Sequence, residues 1–362
     1  MMQFNNMNCI ISLLIIRHVN NTMKKIVKKH HRLTKSTCVS CNLSCSHCMY
    51  LNKAQTYSEY TTCDMDDTAL LLFIHQKIEA QETNDVIFFW QSDELTSDRF
   101  HFFKRVIELQ QQCAQGKKII NTLLTNGILL DDGWCEFFKT NQFLISLSVD
   151  GDAAPYDNIH ETISGKLTND LVKETVKLLQ QHDIEFNTLT IVNAINSQQP
   201  LRIYRYLKSL GSRHMQFIPL LEPLAPGSVD KRSLAPAELA KFLKTIFYTW
   251  IRLDIGVINI PIFEHTFAAW CGLSTKACAF APIVEQHKEA LAAECTDCKV
   301  KFICRGGCPK ERVALSRRGV PELNYFCESY LAFFTYVEPY MLMMRGLWEQ
   351  NYPPSNIRQY LA

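Results

Sequence analysis

Between residues 65 and 220 two kinds of segment alternate along the chain. Short runs rich in β-branched and aromatic residues recur at 86–90 (VIFFW), 119–124 (IINTLL), 143–149 (FLISLSV), 186–192 (FNTLTIV) and 214–220 (HMQFIPL). Longer stretches at roughly 65–83, 98–113, 168–182 and 199–210 separate them, with apolar residues at helical spacing, as for Ile203, Leu207 and Leu210. Repeated strand–helix units predict a parallel sheet. The segment before Cys41 can supply a first strand, giving about six units. The expected fold is therefore α/β, a partial (β/α)6 barrel. No G-x-G-x-x-G follows a strand, which argues against a Rossmann sheet.

After residue 220 the pattern changes. EPLAPG (222–227) carries the Pro and Gly signals of a boundary. A helix is predicted at roughly 236–252 and a last one at roughly 328–345, the latter carrying Leu331, Phe334, Tyr336 and Met341. From Cys271 onward strand runs stop, while cysteines and basic residues become frequent. The predicted organisation is a basic leader over 1–35, a barrel over 36–222, a linker with helices over 223–270, and a small C-terminal cysteine-rich Fe-S domain over 271–362. There is no internal repeat.

Charge and hydropathy exclude some functions. Net charge is +2, which gives no general case for nucleic acid or a membrane as partner. No acidic residue precedes Glu59, while Arg17, Lys24, Lys25, Lys28, Lys29, Arg32 and Lys35 are basic, so the leader reads as solvated chain. The apolar run CIISLLII (9–16) is too short to span a bilayer. It lacks the preceding cation and the cleavage site of a signal peptide, and Met23 is an alternative start. The expectation is a cytoplasmic protein.

Fifteen cysteines in such a chain read as metal ligands, reactive thiols or core residues, not as disulfides. Cys113 and Cys135 fall in apolar helical stretches and are predicted to be core. Ten others form two groups. Cys41, Cys45 and Cys48 are spaced C-x3-C-x2-C. Three thiolates on one tight loop leave one iron of a 4Fe-4S cube open for a small molecule, whereas a structural zinc site closes with four ligands. The loop follows the first expected strand, on the side where barrel enzymes carry their chemistry. Near the C-terminus Cys295, Cys298, Cys304 and Cys308 are spaced C-x2-C-x5-C-x3-C, with Cys327 beyond and the pair Cys271 and Cys278 before. Lys299, Lys301, Arg305, Lys310, Arg312, Arg317 and Arg318 surround them, with Glu311 the one acidic residue over 299–318. A thiolate-bound iron–sulfur core is a net anion, which such cations would stabilise. A zinc ribbon on the four clustered cysteines is the alternative.

The loop CNLSCSHCMYL resembles the radical S-adenosylmethionine (SAM) signature. FFWQSDELTS, LLTNGILL, SLSVDG, EFNTLTIVNAIN, YLKSLGSRHMQFIPLLE, ICRGGCPK and NYFCESY resemble, in order, the anaerobic sulfatase-maturating branch of that superfamily. The resemblance implies a radical SAM oxidoreductase that converts a Cys or Ser of a sulfatase-like protein to formylglycine. It implies 4Fe-4S clusters and S-adenosylmethionine as cofactors, and an electron donor such as flavodoxin or ferredoxin. It also implies a C-terminal domain of the SPASM type. There, Cys295, Cys298, Cys304 and Cys327 would ligate one auxiliary cluster, and Cys271, Cys278 and Cys308 would belong to another. By the same resemblance His47, Ser148, Asp150 and Leu221 lie near the nucleoside of SAM.

Some positions depart from that family. The Gly-Gly-Glu-Pro stretch that receives the SAM amine is Ser92, Asp93, Glu94 and Leu95 here, and the arginine that pairs with the SAM carboxylate is His160. An imidazole offers one pH-dependent contact in place of a bidentate fork. The segment 279–294 contains neither the fourth cysteine of the first auxiliary cluster nor the aspartate that serves as general base. Glu285, His287, Glu289 and Glu294 are the nearby groups able to replace that base. Two alternatives therefore stand beside the maturase: a radical SAM peptide-modifying enzyme with another target, and a catalytically impaired paralogue that keeps its clusters and binds a peptide.

Overall fold

The computed structural model describes residues 65–81, 83–91, 95–152, 168–225, 228–273 and 291–361, together with the backbone of short strands at 34–35, 43–45 and 160–162. Most of the basic leader lies outside the described residues. The chain divides into two compact units, one over residues 32–242 and one carrying residues 243–362.

The first unit is built on six parallel strands: β1 (Thr34–Lys35), β3 (Asp85–Gln91), β4 (Lys118–Thr125), β5 (Leu144–Ser148), β7 (Phe186–Val192) and β8 (Met215–Pro219). They form one sheet in the order β1-β3-β4-β5-β7-β8. Two further strands, β2 (Leu43–Cys45) and β6 (His160–Thr162), pair antiparallel with each other. A small antiparallel ribbon, β9 (Pro223–Ala225) with β10 (Ser228–Val229), follows the sheet over the EPLAPG stretch, and the first compact unit runs on to residue 242. Every strand run read from the sequence is thus a strand, and the parallel α/β sheet of a partial barrel is the observed fold.

Helices α1 (Asp67–Glu79), α2 (Ser97–Cys113), α3 (Asp132–Thr140), α4 (Thr168–Gln181) and α5 (Pro200–Ser209) connect these strands. Alternation along β3 sends Val86, Phe88 and Trp90 into the core, while Ile87 is exposed. Leu70, Ile74 and Ile78 of α1 recur at helical spacing and are fully buried. Asp66 caps α1 by accepting from the Ala69 N–H at 2.8 Å, and Asp131 caps α3 by accepting from Trp134 N–H at 2.9 Å. The core around Trp90 is aromatic: Phe73, Phe102 and Phe103 meet its ring edge to face at 5.8–6.1 Å. The buried Trp90 indole N–H donates to Asn121 Oδ1 at 2.8 Å, and Asn121 and Gln110 exchange two further bonds at 2.8 and 2.9 Å. That trio leaves the polar atoms of three buried side chains satisfied.

The second unit is helical. It takes the end of α6 (Pro236–Leu253), then α7 (Pro261–Trp270), the short α8 (Lys301–Cys304) and α9 (Cys327–Glu349). Phe247, Trp250, Phe263 and Phe333 form its fully buried centre, and the Trp250 indole donates to Ile258 O at 2.7 Å. A two-stranded ribbon, β11 (Ala314–Leu315) with β12 (Pro321–Leu323), follows the last cysteine loop. Among the described residues no helix is long and apolar enough to cross a membrane.

Lys77 is the outlier of the first core. Its side chain is 5% exposed, and its ammonium has no hydrogen-bond partner among the described residues. It lies 5.0 Å from the centre of the Phe88 ring and 5.9 Å from those of Phe73 and Phe89. Burial lowers its pKa from 10.5 to about 8. Between these values the unfolded chain binds a proton that the folded chain does not, so stability rises with pH across that window. Lys77→Met is expected to stabilise the protein at pH 7 by roughly 2 kcal/mol, an advantage that shrinks as pH rises from 8 toward 10. Paired denaturant titrations at pH 7 and pH 10 check it; an advantage that grows with pH would refute this account of Lys77.

Candidate functional site

Because the strands of the sheet are parallel, their carboxyl ends share one edge, and several predicted site residues fall there. Ser148 is the last residue of β5. Asp150 lies two residues beyond, and its Oδ1 accepts the Ile191 N–H of the neighbouring β7 at 2.8 Å. Leu221 lies two residues after β8; its neighbour Leu220 donates to Val192 O at 2.7 Å, which extends the β7–β8 pairing to that edge. Gln91 ends β3 and is 4% exposed, and Thr125 ends β4 and is 1% exposed.

The β2–β6 pair adds a second juxtaposition. Its register sets Cys45 directly opposite His160. Two residues singled out in the sequence, one as a candidate cluster ligand and one as the expected counterpart of the SAM-carboxylate arginine, thus sit on facing backbone positions. Cys41, His47, Cys48, Asp93 and Glu94 lie outside the described residues.

Sequence reading passed over the residues that hold this edge together. After β7 the sequence NAIN folds into a reciprocal turn. Asn193 Oδ1 accepts from the N–H groups of Ile195 and Asn196, while Asn196 Oδ1 accepts from Asn193 N–H at 2.8 Å. Asn196 Nδ2 then donates to Ile191 O at 2.8 Å and Asp150 O at 3.3 Å, fastening the β5 and β7 ends together. Arg202 of α5 donates through Nε to both oxygens of Asp152, at 2.8 and 3.0 Å. The available signal was an Asn at a strand end repeated three residues on, a turn former by composition.

In the second unit, Cys295, Cys298, Cys304 and Cys327 line one cavity, closed by Val300, Leu323 and Leu331. These four come from three places: the turn at Ala293–Cys295 and the residues after it, the end of α8, and the first residue of α9. The other described cysteines of the group stand apart. Cys271 caps the C-terminal end of α7, where burial raises its thiol to about 11. Cys308 sits beside the Glu311 carboxyl. Cys278 lies outside the described residues, as do Glu285, His287 and Glu289. Glu294 is described: it lines the cavity, and the backbone N–H of Arg317 holds its carboxyl below the usual range.

The donor set fits an iron–sulfur cluster. Four sulfurs line one largely apolar cavity, the ligand number of a closed iron–sulfur cluster. Burial pushes the Cys304 thiol up to about 12 and raises those of Cys295 and Cys327 as well. Such thiols keep their protons until a metal displaces them, so binding here releases protons. The Gly306 N–H donates to Cys304 and favours its ionised form.

The turn that follows Cys304 explains the ICRGGCPK motif. Arg305, Gly306 and Gly307 have φ of 49°, 80° and 62°, three successive residues in the left-handed region. A Cβ at Gly307 would stand 2.3 Å from Asn324 Nδ2, and one at Gly306 would stand 2.6 Å from Leu291 Cδ2. Asn324 in turn donates to the Glu311 carboxylate at 2.9 Å and accepts the Phe326 N–H at 2.8 Å, which fixes the entry to Cys327.

The strand-end edge and the cysteine-lined cavity are the parts expected of a radical SAM protein, and a family model described as the radical SAM superfamily matches residues 36–207. A serine-type anaerobic sulfatase-maturating enzyme of Bacteroides thetaiotaomicron is 30% identical, over 94% of this chain and 97% of its own. The cysteine-type enzyme of Clostridium perfringens is 27% identical, over 86% and 96%. The solved structure of native anSMEcpe with bound AdoMet superposes with a TM-score of 0.74 at 26% identity, covering 86% of this chain and 98% of that one. The same enzyme with bound AdoMet and the Kp18Cys peptide gives 0.73. The chain belongs to the family of anaerobic sulfatase-maturating enzymes.

Gly307→Ala is expected to lower stability by about 2 kcal/mol, from the left-handed φ and the displacement of Asn324 together. It should also reduce the iron that the reconstituted protein retains. Anoxic thermal melts with iron analysis check both; an unchanged melt would mean that this turn tolerates a side chain.

Proposed function

We propose that this radical SAM enzyme oxidises a Cys or Ser side chain of a sulfatase-like protein to formylglycine. The observation that carries the reading is the likeness to maturases along nearly the whole chain, joined to four cysteines lining one cavity. Within it, the barrel over 36–222 carries the SAM chemistry, 223–270 connects, and 271–362 carries the auxiliary Fe-S chemistry. Cys41, Cys45 and Cys48 hold the cluster that binds SAM, and Cys295, Cys298, Cys304 and Cys327 hold an auxiliary one. When bound, SAM and its cluster supply the 5′-deoxyadenosyl radical that takes a hydrogen atom from the target Cβ.

The chain's own residues do the rest. His47, Ser148, Asp150 and Leu221 border the nucleoside, and Asp93, Glu94 and His160 border its methionyl end. Loss of a Cβ hydrogen atom, a side-chain proton and one further electron turns a serine into the aldehyde. From a cysteine, hydrolysis of the thioaldehyde with release of hydrogen sulfide completes the change. The cluster that Cys295, Cys298, Cys304 and Cys327 would hold would supply an acceptor for that electron, and a flavodoxin or ferredoxin would be the matching donor for the first one. A cytoplasmic, reducing setting suits both the clusters and that donor.

Anoxic incubation with SAM, dithionite and a peptide bearing a sulfatase motif tests the proposal. The expected products are 5′-deoxyadenosine and the aldehyde peptide. 5′-Deoxyadenosine without aldehyde would assign a different target, and neither product from a protein that keeps its iron would assign the impaired paralogue.

A further inference from the structure

Seven basic residues surround the second cysteine group, and the structure separates one from the rest. Lys299, Lys301, Arg305, Lys310, Arg317 and Arg318 are exposed, while Arg312 is half-buried. An exposed charge is screened within about 10 Å by salt, a partly buried one much less. Arg312 is also the residue that grips the turn behind the cavity: its Nε donates to Gly306 O at 3.2 Å and its Nη2 to Gly307 O at 3.5 Å. A Cβ at Gly306 would approach that same Nη2 to 3.2 Å, so the guanidinium lies against the glycine itself. Gly306 itself lines the cavity with the four cysteines, so the guanidinium stands directly behind a wall that the sulfurs share.

We propose that Arg312 sets the redox potential of the cluster held by Cys295, Cys298, Cys304 and Cys327. It acts in two ways. Its fork fixes the left-handed turn that leaves Cys304 and presents Gly306 to the cavity, and its half-buried cation stands behind that wall. Both favour the more negative, reduced cluster, since hydrogen bonds to the sulfurs and nearby positive charge raise the potential. Arg312 is therefore a positioning residue rather than a catalytic one. It tunes the acceptor of the electron left on the substrate after hydrogen abstraction. This rests on the assignment of those four cysteines to one auxiliary cluster.

The test uses full-length protein reconstituted without oxygen, with R312K and R312Q beside the unaltered chain. Iron and sulfide are counted, and the auxiliary signal is titrated by redox-monitored electron paramagnetic resonance. Cys298→Ala identifies that signal: if it persists unchanged there, the ligand assignment is wrong, which is a different failure from that of Arg312. With the assignment standing, R312Q is expected to keep its iron and titrate at a more negative potential. R312K, which retains the charge but loses the fork, is expected to shift in the same direction by less. An R312Q potential equal to that of the unaltered protein at equal iron content overturns the proposal. So does loss of the cluster from both variants, which would make Arg312 a folding residue only.

Discussion

The parallel direction of β3, β4, β5, β7 and β8 is the constraint from which the first unit follows. Each strand must be reached by a crossover, so helices α1 to α5 are required, and they cover the apolar positions that the strands present. The same direction gathers every strand's carboxyl end along one edge. Side-chain alternation then decides what faces where: shifting a strand by one residue would turn Val86, Phe88 and Trp90 out of the core. The Asn121–Gln110–Trp90 hydrogen bonds below and the Asn193–Asn196–Asp150 bonds at the edge hold that register at both levels.

The second unit solves a different problem. It has to bring thiols from three places in the sequence to one small volume without a sheet to align them. Three consecutive left-handed residues reverse the chain directly after Cys304, and two must be glycine because Leu291 and Asn324 occupy the space a side chain would take. Arg312 donates to the turn itself, while Asn324, held by Glu311, packs against Gly307 and accepts the Phe326 N–H just before Cys327, so polar contacts flank the cysteines on either side. The aromatic packing of Phe247, Phe263 and Phe333 supplies the rigid base elsewhere in the unit.

Much of this was legible in the sequence because periodicity and cysteine spacing are local. VIFFW, IINTLL and FNTLTIV announced their strands, and Ile203, Leu207 and Leu210 announced α5. Cys113 and Cys135 were read as core and are buried. The last helix was read as 328–345 and runs Cys327–Glu349, beginning on a cysteine of the cavity. What the sequence hid was long-range. Nothing in NAIN says that Asn196 reaches Asp150, and a row of seven basic residues does not disclose which one is turned inward. The pairing of Cys45 with His160 likewise spans more than a hundred residues and follows from strand register alone.

Cys135 illustrates how the fold partitions its sulfur. It is fully buried, and desolvation together with the neighbouring Asp132 and Asp131 charges pushes its thiol up to about 12. A sulfur without thiolate character is a poor target for peroxide or alkylating agents. Cys304 shares that raised pKa, so what separates Cys135 from the half-buried thiols around the cavity is access: an oxidant in solution reaches those before this one. Oxidative damage would begin at the cavity of the second unit and spare the sulfur packed inside α3 of the first.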